Sequence, residues 1–551
     1  MPFFQSPPRT PDLFLADEAL QLELRRRLPD AVQARFRPRF EAMGAACATT
    51  LVTLAEQAER QAPEHVPYDA FGRRVDEIRT SEAWQALKDF SASHAIVATG
   101  HDETLGDRRR VVQAALIHLF SASSATFSCP LAMTDAAAQV LKECDDGALK
   151  ERLLPRLLST HAEDFITSGQ WMTERAGGSD VGRTETLARP VSDDKSGRGY
   201  TLHGTKWFTS ATTGEMALTL ARIDDGKSPS VTGSRGLSLF CVELQRGPSG
   251  VLQGIQVNRL KDKLGTRALP TAELELQGVH ATLVGKPGRG VATIATMLNV
   301  TRFYNALASS SAMARATFLA TDYAQRRHSF GKALVDHPLH RTTLDDMQAD
   351  AAGALSLCME VADLLGRQET GAFSPQEKAR LRGLIPIAKL TLGKQVVSVC
   401  SEALECFGGA GYIEDTGLPR LLRDAQVLPI WEGTTNVLSL DVLRAEGKSG
   451  SLGLILTDLK SRAESLRTTI PNKSVDVVLH TVSRVQDGLQ AALSQNDNIS
   501  LERNARRIAM TTGYLMEAVC LGEASAFAGE ADAGARSRFE NLVRARLSAA
   551  I

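Results

Sequence analysis

A chain of 551 residues is long enough for several packed units, about 3 to 4 by the usual range of domain sizes. Its 43% hydrophobic and 23% charged residues, with a net charge of -1, are an ordinary globular balance that gives no electrostatic case for nucleic acid or an anionic membrane. No run approaches ~18 uninterrupted apolar residues, and the opening MPFFQSPPRTPDLFLADEAL has prolines and acids where a leader needs an apolar stretch. The expected setting is therefore the cytoplasm without membrane insertion, an organellar matrix or peroxisome also being open.

Residues 1–165 read as a helical domain, because ADEALQLELRRRL, YDAFGRRVDEIRTSEAWQALKDF and DRRRVVQAALIHLF place apolar residues at i, i+3 and i+4. From 166 to 286 the pattern changes to short β-branched and aromatic runs such as YTLHGTKWFTS, LSLFCVEL and AELELQGV, predicting a small central β-barrel or sandwich domain. DDGKSPSVTGSRG reads as a surface loop between two of those strands. Helical periodicity returns over 287–446, predicting a second helical bundle. AEGKSGSLG reads as a linker, and 447–551 as a further helical extension. The predicted class is thus α+β: helices, a β domain, helices, and extra helices. The eight cysteines include no CxxC pair and no histidine at metal-ligand spacing, so they read as reduced small hydrophobes and no metal is expected.

Three of the four tryptophans lie in conspicuous segments. Planar side chains suit the walls of a flat cofactor, although each tryptophan alone is as well explained as a core anchor. The first segment is Gln170-Trp171-Met172-Thr173-Glu174-Arg175-Ala176-Gly177-Gly178-Ser179-Asp180. Its glycines permit close approach of a ligand to the backbone, and Thr173 and Ser179 supply hydroxyls. It lacks the GxGxxG dinucleotide fingerprint. In the second, Gly204-Thr205-Lys206-Trp207-Phe208-Thr209-Ser210, strand alternation puts Phe208 and Ser210 on one face. The third is Ile430-Trp431-Glu432-Gly433-Thr434-Thr435-Asn436, just ahead of a helix that Thr434 or Thr435 can cap. A carboxylate hemmed in by Ile430, Trp431 and Gly433 suits a general base near neutral pH. A surface glutamate serving the helix dipole is the other reading of that fragment.

Together the segments resemble the acyl-CoA dehydrogenase superfamily over roughly residues 100–446. TERAGGSD, GTKWFTS, Arg327-His328-Ser329-Phe330-Gly331, Phe407-Gly408-Gly409-Ala410-Gly411-Tyr412 and IWEGTT occur in the family's order. KDKLGTR, the double glycine of GGSD, the tryptophan of IWEG and the C-terminal extension resemble the AidB-like branch more specifically. The resemblance implies FAD held noncovalently between the β domain and the second helical domain. It assigns Met172, Thr173, Phe208 and Ser210 to the flavin ring, Ser179 to the pyrophosphate or substrate side, and Thr434 and Asn436 to further FAD contacts. It assigns Arg327, Ser329, Phe330 and Gly409 to the adenosine half of a neighbouring subunit's FAD, hence a homo-oligomer, expected to be a tetramer. Arg302 and Gly433 fall at substrate positions, and Glu432 at the catalytic base. There are departures: Glu405 stands where the family has glutamine, and Gln170 where it has tyrosine.

The activity implied is α,β-desaturation of an acyl-CoA, with an electron acceptor such as an electron-transfer flavoprotein as partner. A flavin oxidase, a nitroalkane-oxidising variant and a noncatalytic binder are also compatible. The alternative of another class is an AidB-like alkylation-response flavoprotein associated with DNA. Residues 449–551 carry 12 lysines and arginines against 11 acids, too little net charge for strong phosphate binding, so DNA is not the expected partner.

Overall fold

The computed structural model describes residues 4–194, 196–226, 231–248, 250–470, 473–495, 497–529 and 532–548. Residues 227–230 of the predicted DDGKSPSVTGSRG loop lie outside them. The architecture is α+β and 62% helical. The chain divides into two compact units: Met1–Thr50 with Asp102–Ala122 and Asn305–Ile551, and Leu51–His101 with Ser123–Tyr304.

The second of these units is built on a seven-stranded sheet. After a hairpin of β1 (Glu64–Tyr68) and β2 (Arg74–Arg79) come β3 (Ser168–Trp171), β4 (Leu187–Pro190), β5 (Gly199–Ser210), β6 (Met216–Ile223), β7 (Leu237–Glu243), β8 (Ile255–Leu260) and β9 (Thr271–Val284). The order β3-β6-β4-β5-β9-β7 closes on itself because β6 also pairs with β7, and β8 adds to β9. Closure leaves few open edges and encloses a core of Trp171, Leu202, Phe240, Val242, Leu274 and Leu276. The β1–β2 hairpin corrects the helical reading of YDAFGRRVDEIR. Asp69 Oδ1 accepts the N–H groups of Phe71 and Arg73, both at 2.9 Å, and Gly72 takes φ +80°, making a tight turn where periodicity alone suggested a helix. The hairpin is pinned on β8: Asp76 accepts the Val257 N–H at 3.1 Å, and Arg74 donates to the Val257 carbonyl at 2.7 Å.

The other unit is helical. Its longest complete members, Pro338–Glu369 and Pro375–Cys406, each begin with proline at the first turn, where the missing N–H costs nothing. Ser374 and Glu377 form a reciprocal capping box on the second. That helix is long and apolar enough to cross a membrane, yet 83% of its most apolar window is buried inside the protein, which marks a core helix. The predicted linker AEGKSGSLG is instead almost continuous helix: Thr435–Ser449 and Ser451–Thr469 are separated by Gly450 alone, at φ +63°.

Charged residues tie the C-terminal helices to the first ones. Arg27 meets Glu23 at 2.8 Å and Glu360 at 3.2 Å, while Arg462 meets Glu360 at 3.0 Å and Glu523 at 2.7 Å. Burial pushes the Glu360 carboxyl up, but Arg462 and Arg27 outweigh it and hold it well below the ordinary carboxylate range. All eight cysteines are free thiols, buried except Cys129, which is half-buried. Among the described residues no group of three or more His, Cys, Asp or Glu is placed to hold a metal.

Candidate active site

In the barrel unit the candidate residues start where β3 ends. Glu174 and Gly177 exchange backbone hydrogen bonds at 3.1 and 3.2 Å, closing the TERAGG turn. Gly178 then folds back on Thr173, so closely that a Cβ there would lie 3.2 Å from the threonine side chain. The Trp207 N–H donates to the Thr173 carbonyl at 2.9 Å, which lays this turn beside β5. Beneath it the Lys206 ammonium, wholly buried, donates to Glu174 at 2.6 Å and to the Leu220 carbonyl at 2.8 Å. Glu174 also accepts from Thr186 Oγ1 at 2.5 Å and the Glu185 N–H at 2.6 Å. Burial raises the Glu174 carboxyl, but the Lys206 charge and these donors outweigh it and hold it below its ordinary range. The lysine and glutamate of the two motifs are therefore the fastening between them.

Strand alternation slips by one residue after Lys206 and resumes over Phe208, Thr209 and Ser210, which are exposed, buried and half-buried in turn. The β5–β9 register slips between Lys206 and Thr209, so a bulge carries Trp207 and Phe208. Phe208 is left 50% exposed while Thr209 is buried, and Ser210 shares a hydroxyl contact with Thr271 at 3.2 Å. Lys261 stands over both aromatic rings, 3.6 Å from the Trp207 centroid and 4.5 Å from that of Phe208, and pairs with Glu273 at 2.7 Å. Trp207 is thus a braced surface aromatic, and Trp171 is a core residue with no exposed surface. Met172 and Thr173 lie beside this platform, whereas Ser179 is exposed beyond the glycines. An open aromatic ring bordered by hydroxyls, with the buried Gln170 Oε1 lacking a hydrogen-bond partner nearby in sequence, fits a flat ring with a polar edge such as a flavin. Arg302 is half-buried on the helix Gly290–Arg326, in the same unit.

In the helical unit, a turn follows the short helix Pro419–Ala425 and ends at the helix Thr435–Ser449. Ile430 and Trp431 N–H groups both donate to the Val427 carbonyl, at 2.8 and 3.1 Å. The chain then turns left-handed twice: Glu432 has φ +56° and Gly433 φ +105°. A non-glycine residue in that region is uncommon and carries strain that neighbouring structure must hold. Thr434 is the residue before the helix, but its side chain makes no capping hydrogen bond, so the predicted cap is positional only. Glu432 and Gly433 are half-buried, and Thr434 and Asn436 are exposed. The indole N–H of Trp431 is buried without a hydrogen-bond partner.

The residues assigned to a neighbouring subunit's cofactor sit on other elements of this unit. His328–Ser329 and Lys332–Ala333 form a small hairpin that presents Phe330 at its tip, 96% exposed and at φ +49°. His337 Nε2 lies 2.9 Å from the Ser329 carbonyl and steadies the hairpin, whose Arg327 is half-buried. Gly409 is exposed in the turn after Cys406, with open space where a side chain would stand, and Glu405 is exposed before it.

Sequence reasoning missed two wholly buried lysines, Lys206 beneath the barrel turn and Lys389, which donates to the Gly433 carbonyl at 2.6 Å. The signal was present: each is a lone charge inside an apolar run, TKWF and IPIAKLTL.

The chain is similar to known proteins over most of its length. The acyl-CoA dehydrogenase C-terminal domain matches residues 288–446, the middle domain residues 169–279, and the N-terminal domain of the adaptive response protein AidB residues 5–164. The chain is 42% identical over 534 residues to acyl-CoA dehydrogenase family member 11 of Caenorhabditis elegans, covering 94% of this chain and 85% of that one. The crystal structure of that worm protein in complex with C11-CoA superposes with a TM-score of 0.92, covering 99% of this chain and 92% of the other. A putative acyl-CoA dehydrogenase AidB from Escherichia coli strain K12 is 33% identical over 413 residues, 74% of this chain and 73% of that protein. The apo form of Bd2924 is 47% identical with a TM-score of 0.87, covering 95% of this chain and all of that chain.

Proposed function

Since this chain belongs to the acyl-CoA dehydrogenase family, whose members are FAD-dependent oxidoreductases acting on CH–CH bonds, we propose that it desaturates a fatty acyl-CoA thioester at the α,β position with Glu432 as base. The observation that carries the assignment is the left-handed Glu432–Gly433 pair, a strained conformation for a glutamate at the head of a helix. When bound, FAD supplies the hydride acceptor. The residues that would hold its ring are Met172, Thr173, Phe208 and Ser210, with Thr434 and Asn436 as further contacts.

The chain's own part in the reaction is positional and protonic. The Glu432 carboxylate takes the α-proton, and its backbone N–H polarises the thioester carbonyl, so that charge arising on the oxygen meets a fixed dipole. Trp431 together with bound substrate would keep water from the carboxylate, whereas Ile430 is 59% exposed, and Arg302 would line the acyl-CoA site. Arg327, Ser329, Phe330 and Gly409 serve the adenosine half of a neighbour's FAD in a homo-oligomer, a tetramer in this reading. What supports that reading is the placement of Phe330 at the tip of its hairpin, 96% exposed. The C11-CoA bound to the worm relative supports a fatty acyl-CoA as substrate. The reduced flavin must pass its electrons to an acceptor, and an electron-transfer flavoprotein is one that would serve.

The C-terminal helices do not favour a polyanion. Arg462, Arg467, Arg538, Arg544 and Arg546 are engaged in ion pairs with this chain's own acids, which leaves fewer cations for phosphate. The test is anaerobic: the purified yellow protein is mixed with a panel of acyl-CoAs of increasing chain length. At least one should bleach the flavin band near-stoichiometrically. No bleaching across the panel, from a protein carrying FAD, contradicts the proposal.

A further inference from the structure

We propose that Lys389 is a positioning residue for the reaction, holding the left-handed turn that presents Glu432. The proposal rests on the reading of Glu432 as the base.

Lys389 lies within the core helix Pro375–Cys406 and has no exposed surface. A buried ammonium is costly unless its hydrogen bonds return the lost hydration, so its partners mark what it is there to hold. Its Nζ donates at 2.6 Å to the carbonyl of Gly433, the residue after Glu432. That peptide links the two consecutive residues at positive φ to the helix Thr435–Ser449. A charge-assisted bond to this carbonyl fixes the rotation of the Gly433 peptide, and with it the direction from which the chain leaves Glu432.

The same helix grips the other end of the turn. Gly393, one helical turn beyond Lys389, approaches the backbone so closely that a Cβ would lie 3.1 Å from the Leu428 carbonyl oxygen. The Leu428 carbonyl also accepts from the Asn305 side-chain amide at 3.3 Å. On the far side, Gly433 lies against Leu438, where a Cβ would come within 2.8 Å of Cδ2. The segment Leu428–Gly433 is thus clamped at both ends, leaving Glu432 in its interior. Without the ammonium the Gly433 peptide loses this bond, and the carboxylate of the neighbouring Glu432 samples other directions. A base that is misaligned by about 1 Å loses rate without losing substrate affinity, by up to about 10²-fold.

The experiment uses the FAD-loaded enzyme and stopped-flow anaerobic reduction by the best acyl-CoA of the panel. Lys389→Met should lower the limiting reduction rate per bound flavin by ~10-fold or more, with acyl-CoA dissociation constant and FAD content unchanged. Lys389→Arg, which keeps a charged donor, should recover part of the loss. In a Glu432→Gln background the same Lys389→Met change should cost less than ~2-fold, because a positioning residue acts only through the group it positions. If Lys389→Met retains no FAD, Lys389→Gln, with a shorter uncharged donor, takes its place with the same split expected. A wild-type limiting rate in the Lys389 variant, or an equal loss with and without Glu432, overturns the proposal and leaves the lysine a brace for the fold. Glu432→Gln at wild-type rate instead removes the base assignment itself, so the two failures are told apart.

Discussion

The barrel platform and the base-bearing turn are each bonded to a wholly buried lysine, and a bond made by each differs in kind. Lys206 faces a carboxylate, Glu174, which also takes donors from Thr186 and Glu185. Lys389 is bonded to a backbone carbonyl, that of Gly433. The first arrangement neutralises a buried charge and fastens two sequence motifs into one rigid surface. The second directs a cation at a peptide dipole beside a strained residue. The lesson is that residues within recurring motifs need not touch the ligand: the K of GTKW and the E of TERA lie beneath the surface that Phe208 and Thr173 present.

This contrast can be broken at the ion pair first. Lys206→Met leaves Glu174 buried and unmatched, a change of the kind that costs ~3–5 kcal/mol. Denaturant unfolding should show that loss together with FAD release. The double variant Lys206→Met/Glu174→Gln should regain much of it, since replacing both partners removes the uncompensated charge. If the single variant were as stable as wild type, the pair would not be the fastening described.

Acid and alkali sharpen the contrast further. The Glu174 carboxyl is held low in the folded state, so the stability it contributes is present above its unfolded pKa and is lost as pH falls through the folded one. Glu517, wholly buried in the helical unit, behaves oppositely. Burial first, and then Asp350, push its carboxyl well above the ordinary range, against Gln395 and Arg546. Folding therefore retains a proton there, and stability falls as pH rises above the unfolded pKa, with a slope approaching ~1.4 kcal/mol per pH unit for one proton. Melting curves between pH 5 and pH 7.5 should show Glu517→Gln gaining on wild type as pH rises. An unchanged difference across that range contradicts the protonated state of Glu517.

The fold class was legible because a β-rich stretch between long amphipathic helices announces itself in residue type. What escaped was local. EHVPYDAFGRRVDEIR mixes apolar and charged residues at spacings that also suit a helix, and the deciding features are the Asp69 side chain and Gly72, which close a turn only once the hairpin forms. AEGKSGSLG has the small residues of a linker, yet one left-handed glycine suffices to join two helices. At the platform, alternation placed Phe208 and Ser210 together, but the bulge that exposes Phe208 depends on the facing strand and is invisible in one segment. At the turn, the motif marked Glu432 but not its positive φ, and the lysine bonded to Gly433 comes from a helix 44 residues earlier.

Whether Glu432 removes the substrate proton is decided by a single substitution. Glu432→Gln keeps the size of the side chain and the head of the helix while removing the proton acceptor. Anaerobic stopped-flow reduction of its bound FAD by a good acyl-CoA should slow by at least ~10²-fold, with FAD and acyl-CoA still bound. Reduction at the wild-type rate would contradict the account and leave Glu432 as a surface glutamate at the start of a helix.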